Sequence, residues 1–278
     1  MLNLNQGFTP LGENNQIEYK SFLFAGGEPH IKISNNFDSN VPLTITQRIN
    51  SFNDLGMICI TVDSLKRMGV KQINLFIPYF PAARQDRVMI PGEPLSVKVY
   101  ADIINAMGFE SVTVFDPHSE VTPALLNNCI TISNYEFIKQ VIAKIGNEVQ
   151  LISPDGGALK KIYKVSEFLG GAEVVECSKS RDVKTGKLSG FKVYADDLNG
   201  ADCLIVDDIC DGGGTFIGLA EELKNKNAGK LFLAISHGIF SKGFDELSKY
   251  FEQIFTTDSI KEVEHAGVTQ IKLQNILS

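Results

Sequence analysis

Residues 203–223 read CLIVDDICDGGGTFIGLAEEL, and the order of residue types in this stretch decides the fold. Four apolar residues, Cys203 to Val206, have the pattern of a buried strand that runs into Asp207 and Asp208. Asp211, the glycines Gly212, Gly213 and Gly214, and Thr215 follow, and an amphipathic helix opens directly after them. Strand, glycine turn and helix in that order are the building unit of α/β proteins. Glycines let the backbone turn tightly and aim N–H groups at an anion, and a helix N-terminus adds a favourable dipole. Thr215 supplies a hydroxyl donor. The plainer alternative is a strand-to-helix turn that carries exposed acids.

Phosphate alone does not explain two adjacent carboxylates, because they repel it. They make sense where sugar hydroxyls or a hydrated metal lie beside the phosphate and need acceptors, and ribose 5-phosphate has both parts. Outward from this stretch, short apolar runs alternate with longer amphipathic ones, which predicts largely parallel sheets. Strands are expected at 73–77, 112–115, 149–153, 203–206 and 231–235, and helices at 53–68, 95–107, 158–169 and 216–225. Gly69, Gly108 and Gly229 follow helical stretches, where a C-terminal cap favours positive φ. Two halves rhyme: one helix leads through SVTVF (111–115) to His118, another through LFLAI (231–235) to His237.

The 278 residues suit two domains of about 130 each. The net charge of −7 gives no electrostatic reason to expect nucleic acid. No run of about 18 apolar residues suggests a membrane span. The N-terminal stretch has no basic start followed by an apolar run, so no secretory signal is expected. Five cysteines without a CxxC pair suit reduced thiols in cytosol.

Other residues have readings of their own. Arg84 follows a strand and a Pro-rich turn, so its guanidinium fork could hold phosphate oxygens, with Gln85 and Asp86 toward a base or sugar; a surface ion pair is the bland alternative. His118 and Asp155 each end an apolar strand, one in each half, where an imidazole and a carboxylate suit Mg²⁺ bridging phosphates. A lone histidine at a strand end is more often structural. The polar segment ECSKSRDVKTGKLSGF (176–191) reads as a mobile loop, by default simply solvated.

Residues 206–215, VDDICDGGGT, resemble the phosphoribosyl pyrophosphate loop of type I phosphoribosyltransferases and of ribose-phosphate pyrophosphokinases. The second family is similar nearly end to end, through 76–108 with its Arg-Gln-Asp, VTVFDPHSE (112–120), LISPDGGALKK (151–161) and ISHGIFS (235–241). The resemblance implies an α/β chain of two tandem type I phosphoribosyltransferase-like domains, each a mainly parallel sheet flanked by helices. Their expected spans are 1–130, with the tail 262–278 packing on it, and 131–261. It also implies an enzyme that transfers the β,γ-pyrophosphoryl group of MgATP to the C1 hydroxyl of ribose 5-phosphate, in the cytoplasm.

By the same resemblance Asp207, Asp208, Asp211, Gly212, Gly213, Gly214 and Thr215 bind ribose 5-phosphate. Arg84, Gln85, Asp86 and His118 bind ATP, and His118 and Asp155 hold Mg²⁺. Lys179 and Arg181 match a Lys-x-Arg that closes over the reacting phosphates. FLFAGGEPHIKI (22–33) resembles a Phe-x-Asp-Gly-Glu turn that reaches a neighbour's adenine, with Phe24 and Glu28 matching and Gly26 in place of Asp. A homo-oligomer built from dimers, often a hexamer, is implied. The ending TQIKLQNILS and the residues SEVTP after His118 depart from the family pattern, so weak or absent inhibition by ADP is expected. Rival readings are a phosphoribosyltransferase, a non-catalytic regulatory homologue, and a pyrophosphokinase for another acceptor.

Overall fold

The computed structural model describes residues 1–12, 16–181 and 188–278; the side chains at 180–181 and 188–189 lie outside the description. Contacts divide the chain into two compact units, Met1–Ser133 with Leu273–Ser278, and Asn134–Lys272.

The first unit contains β1 (Leu2–Asn3), β2 (Tyr19–Leu23), β3 (Pro29–Ile33), β4 (Leu43–Thr46), α1 (Phe52–Arg67), β5 (Ile73–Ile77), α2 (Ser96–Ala106), β6 (Ser111–Phe115), α3 (Val121–Leu125) and β7 (Cys129–Ile132). Its sheet has the order β1-β4-β5-β6-β7, parallel throughout, while β2 and β3 form a separate antiparallel hairpin. Burial explains the choice of parallel pairing: Ile45, Leu75, Ile77 and Val114 are almost wholly buried. Each such side chain contributes about 1.5–3 kcal/mol. Helix α1 begins where Ser51 accepts from the Asp54 N–H, while the Asp54 carboxylate accepts from the Ser51 hydroxyl and the Asn50 N–H. This is a reciprocal cap with an acid at the helix start, and Lys66 and Arg67 complement the other end.

The second unit contains α4 (Tyr135–Ile145), β8 (Gln150–Ser153), α5 (Leu159–Phe168), β9 (Val174–Arg181), β10 (Leu188–Val193), β11 (Cys203–Cys210), α6 (Gly214–Asn225), β12 (Leu231–Gly238), β13 (Gln253–Thr257) and β14 (Val268–Ile271). The chain ends in α7 (Leu273–Leu277), which belongs to the first unit. The sheet order is β10-β9-β8-β11-β12-β13-β14, antiparallel at β10–β9 and parallel elsewhere.

Three local expectations change. Gly229 does not take a positive φ; Asn227 (φ 61°) does so instead after α6. The strand expected at 203–206 continues to Cys210, because β12 is equally long and pairs with it through Ile209↔His237 and Cys210↔Gly238. Asp207 and Asp208 therefore lie within the strand and point to opposite faces. The segment 176–191, expected as a loop, is largely paired strand: Glu176–Arg181 belong to β9 and Leu188–Phe191 to β10. Cys177–Arg181 pair with β10 and Glu176 with β8, and alternation buries Cys177 between polar neighbours.

All five cysteines are free thiols. Burial pushes Cys177 and Cys210 up to about 12 and Cys203 to about 11. Cys59 and Cys129, in the first unit, are half-buried and less displaced.

Candidate functional site

The second unit gathers its polar groups where the central strands end. Asp207 lies deep in the sheet edge yet keeps partial access to solvent, and Asp208 is buried. The Asp207 carboxylate accepts from the Asp208 N–H at 2.8 Å. Burial first, then the neighbouring Asp208 carboxylate and the more distant Asp155, raise the Asp207 carboxyl well above the usual range. Two acids in such a place offer acceptor oxygens to hydroxyl or cationic groups.

The loop then turns at Gly213, whose φ of 78° an L residue adopts only with strain. A Cβ there would also lie 3.1 Å from the Leu247 side chain. Helix α6 opens on this glycine with no described side chain capping its first turn; the Phe216 N–H donates to the Gly213 carbonyl, which leaves those of Gly214 and Thr215 for an anion. Asp211 is held from outside the loop: its carbonyl accepts from the Ser241 N–H at 3.1 Å and its carboxylate from the Ser241 hydroxyl at 2.6 Å.

Asp155 follows β8. One carboxylate oxygen accepts from the Gly157 and Ala158 N–H groups at 2.8 and 3.0 Å, at the start of α5, and the other pairs with the Lys179 ammonium. Burial pushes this carboxyl up, but Lys179 and the two N–H groups outweigh it and hold the group below its ordinary value. Lys179 and Asp155, expected in different roles, are thus brought together. Arg181 ends β9, and its side chain, like residues 182–187 of the expected lid, lies outside the described residues. Phe191 packs on α6 at Gly218, where a Cβ would lie 2.2 Å from the ring.

In the first unit, Arg84, Gln85, Asp86 and His118 line one cleft of about 400 Å³ together with Arg87, Met89, Glu93 and Pro94. Arg84 and Gln85 are exposed on a turn closed by the Gln85 N–H donating to the Ala82 carbonyl at 2.8 Å. Burial pushes the Asp86 carboxyl up, yet the Ser119 hydroxyl, the Arg87 guanidinium and nearby His118 hold it below its ordinary value. Phe24 and Glu28 lie apart from this cleft's lining, on the exposed turn of the β2–β3 hairpin, where Phe24 packs edge-on against Phe22 and against His30. A Cβ on Gly26 would lie 2.5 Å from the Glu28 carboxylate, so the glycine makes room for that acid.

Several contributors were missed in the sequence. Ala82 (φ 56°), Asp116 (φ 39°) and Phe240 (φ 46°) adopt the left-handed region without being glycine, each beyond or at the end of a strand that leads to the site. Strain of this kind gathers at functional loops. Leu247 carries no motif, and Ser119 had no signal of its own beyond its place in VTVFDPHSE. The only signal for Ser241 was its place in ISHGIFS.

No group of three or more His, Cys, Asp or Glu side chains poised for a metal occurs among the described residues. Mg²⁺ does not require one, since it commonly takes one or two carboxylates and fills the rest with phosphate oxygens and water. Asp155 offers a carboxylate of that kind, whereas an imidazole such as that of His118 would take part through a bound water.

Residues 13–108 match the family model described as the N-terminal domain of ribose phosphate pyrophosphokinase, and residues 127–272 the phosphoribosyl transferase domain. The chain is 33% identical over 217 residues to the ribose-phosphate pyrophosphokinase of Mycoplasmopsis pulmonis, covering 77% of this chain and 67% of that protein. Against the Vibrio cholerae enzyme of the same name it is 29% identical over 267 residues, covering 92% and 84%. The fold matches the crystal structure of phosphoribosylpyrophosphate synthetase from Mycobacterium smegmatis with a TM-score of 0.81 at 22% identity, over 94% of this chain and 88% of that one.

Proposed function

We propose that this chain, which belongs to the ribose-phosphate pyrophosphokinase family, divides its reaction between sugar-phosphate groups in the second unit and nucleotide groups in the first. The two units are assigned as the family's two phosphoribosyltransferase-like domains. The reaction joins the C1 oxygen of ribose 5-phosphate to the β-phosphorus of ATP. The bond from that phosphorus to the α–β bridging oxygen breaks, AMP leaves, the C1 hydroxyl loses its proton, and phosphoribosyl pyrophosphate forms.

The observation that carries the assignment is the end of β11: two adjacent acids, then a glycine turn into a helix whose first turn no described side chain caps. Asp211, Gly212, Gly213, Gly214 and Thr215 hold the 5-phosphate, and Asp207 and Asp208 accept hydrogen bonds from the ribose hydroxyls. Arg84, Gln85, Asp86 and His118 receive ATP, a reading supported by their shared cleft. Phe24 and Glu28, on an exposed hairpin, meet the adenine of a neighbouring subunit in a homo-oligomer. Lys179 and Arg181 neutralise charge that develops on the transferring phosphates. His118 and Asp155 would hold Mg²⁺, which supplies charge neutralisation to the polyphosphate when bound. No helix among the described residues is long and apolar enough to cross a membrane, and five free thiols suit a reducing cytoplasm.

The test is to incubate the protein with Mg²⁺, ATP and ribose 5-phosphate and resolve the adenine nucleotides. AMP is expected, dependent on the sugar and equal in amount to phosphoribosyl pyrophosphate. ADP in its place would mean transfer of a single phosphoryl group. Binding of both substrates without turnover would identify a regulatory homologue.

A further inference from the structure

The phosphate loop is poor in positive charge. Between Cys203 and Leu223 there are five acids and neither lysine nor arginine. A sugar phosphate carrying about two negative charges at neutral pH would meet Asp207, Asp208 and Asp211 with backbone N–H groups, the Thr215 hydroxyl and a helix dipole in its favour, and no cationic side chain of the loop itself.

Among the described residues, a cation reaches this loop from another part of the chain. Beyond β12, Ser241 is fastened to Asp211 by the two hydrogen bonds described above, and Leu247 packs against Gly213. Between these two anchors, Lys242 runs across Gly212: a Cβ on that glycine would lie 3.4, 3.5 and 3.8 Å from its Cε, Cδ and Cγ atoms. Successive methylenes therefore lie along the loop, and the ammonium stands one bond beyond Cε. No carboxylate among the described residues pairs with it. A lysine stem laid on backbone with a free, exposed head is how a long cationic side chain is presented to a ligand at a surface.

We infer that Lys242 is a binding residue for the 5-phosphate, placing its ammonium beside the anion held by the loop at Gly212–Thr215. This deepens the assignment of that loop as the sugar-phosphate site and rests on it. Lys242 touches the phosphate and not the reacting C1 oxygen, so it sets affinity for the sugar phosphate and leaves the transfer step alone. Its contribution is that of a point charge open to solvent, so it weakens as ionic strength rises.

The experiment compares full-length wild-type, Lys242→Gln and Lys242→Arg proteins in steady-state kinetics, in calorimetric titration with inorganic phosphate, and in thermal melting. Lys242→Gln is expected to raise KM for ribose 5-phosphate about tenfold, the effect of a single charge contact. Its kcat and its KM for ATP should stay within about twofold, and phosphate affinity should fall in parallel with the rise in KM. Lys242→Arg, which keeps the charge, should restore most of the loss. Unchanged KM and unchanged phosphate affinity in Lys242→Gln would overturn the inference. So would a defect equally large in Lys242→Arg with a lowered melting temperature, since packing of the stem would then be the cause. If wild type binds phosphate, Lys242→Gln does not, and neither forms AMP, the role of Lys242 stands and the assigned reaction falls.

Discussion

Replacing Lys179 by alanine should lower turnover by about 10²–10³-fold, the usual effect of removing one preorganised charge partner of a transition state. Affinity for ribose 5-phosphate should stay within about twofold, because removing a transition-state contact affects kcat rather than ground-state binding. The position of Lys179 makes the result informative. It lies on β9, not on a free loop, and its ammonium is already paired with Asp155. That pairing counteracts burial at Asp155, so without Lys179 the Asp155 carboxyl should titrate at higher pH, and the acid limb of the rate profile should move the same way. The measurements are kcat, KM and a pH–rate profile for Lys179→Ala. A sugar affinity that collapses together with the rate would make Lys179 part of the binding site for ribose 5-phosphate, and the assigned role would fall.

Asp207→Asn should act in opposite directions on function and stability. The amide presents one acceptor oxygen where the carboxylate presents two, and it loses the charge, so kcat/KM for ribose 5-phosphate should fall about 10²-fold, as for lost hydrogen bonds to a charged group. The unliganded protein should become more stable. The folded chain keeps a proton on Asp207 to a higher pH than the unfolded chain does, because burial and Asp208 disfavour the charge. Between the unfolded and folded values the native state binds the extra proton, so stability falls as pH rises through that window, and above the ordinary carboxyl range burying Asp207 beside Asp208 costs stability. Removing one charge should raise the melting temperature by about 3 °C, the shift that ~1 kcal/mol gives a unit of this size. The gain should vanish below the ordinary carboxyl range, where both states are protonated. Differential melting of wild type and variant across pH measures this, and a variant less stable at every pH would overturn it.

Much of this arrangement was legible because chemistry and periodicity coincide in VDDICDGGGT and ARQDR. Glycine has few uses besides turning the backbone, and adjacent carboxylates at a strand end have few besides accepting hydrogen bonds. Four-residue apolar runs located the central strands, although they could not give the length of β11, which is set by its partner β12. The small strands were invisible for a related reason. β1 has two residues, too few for a pattern, and Thr131 interrupts the apolar run of β7; both form because a neighbouring strand offers a ladder. The pairing of Lys179 with Asp155 joins residues 24 apart in sequence, and no local rule connects them. Neither could a sequence foretell that Ala82 and Phe240 would take left-handed backbone, since neither is a residue that prefers it.

The distribution of thiols makes the chain its own unfolding clock. Cys177, Cys203 and Cys210 all belong to the second unit, and all hold their protons to about 11 or 12, whereas a reagent such as a maleimide attacks only the thiolate. At pH 8 they should stay silent until that unit opens, and then react together at the ordinary rate of an exposed cysteine. Cys59 and Cys129 are less protected and should mark the first unit at earlier times. Intact mass recorded against labelling time would therefore time the opening of the sugar-phosphate unit separately from its neighbour, and added ribose 5-phosphate should slow only the three later labels.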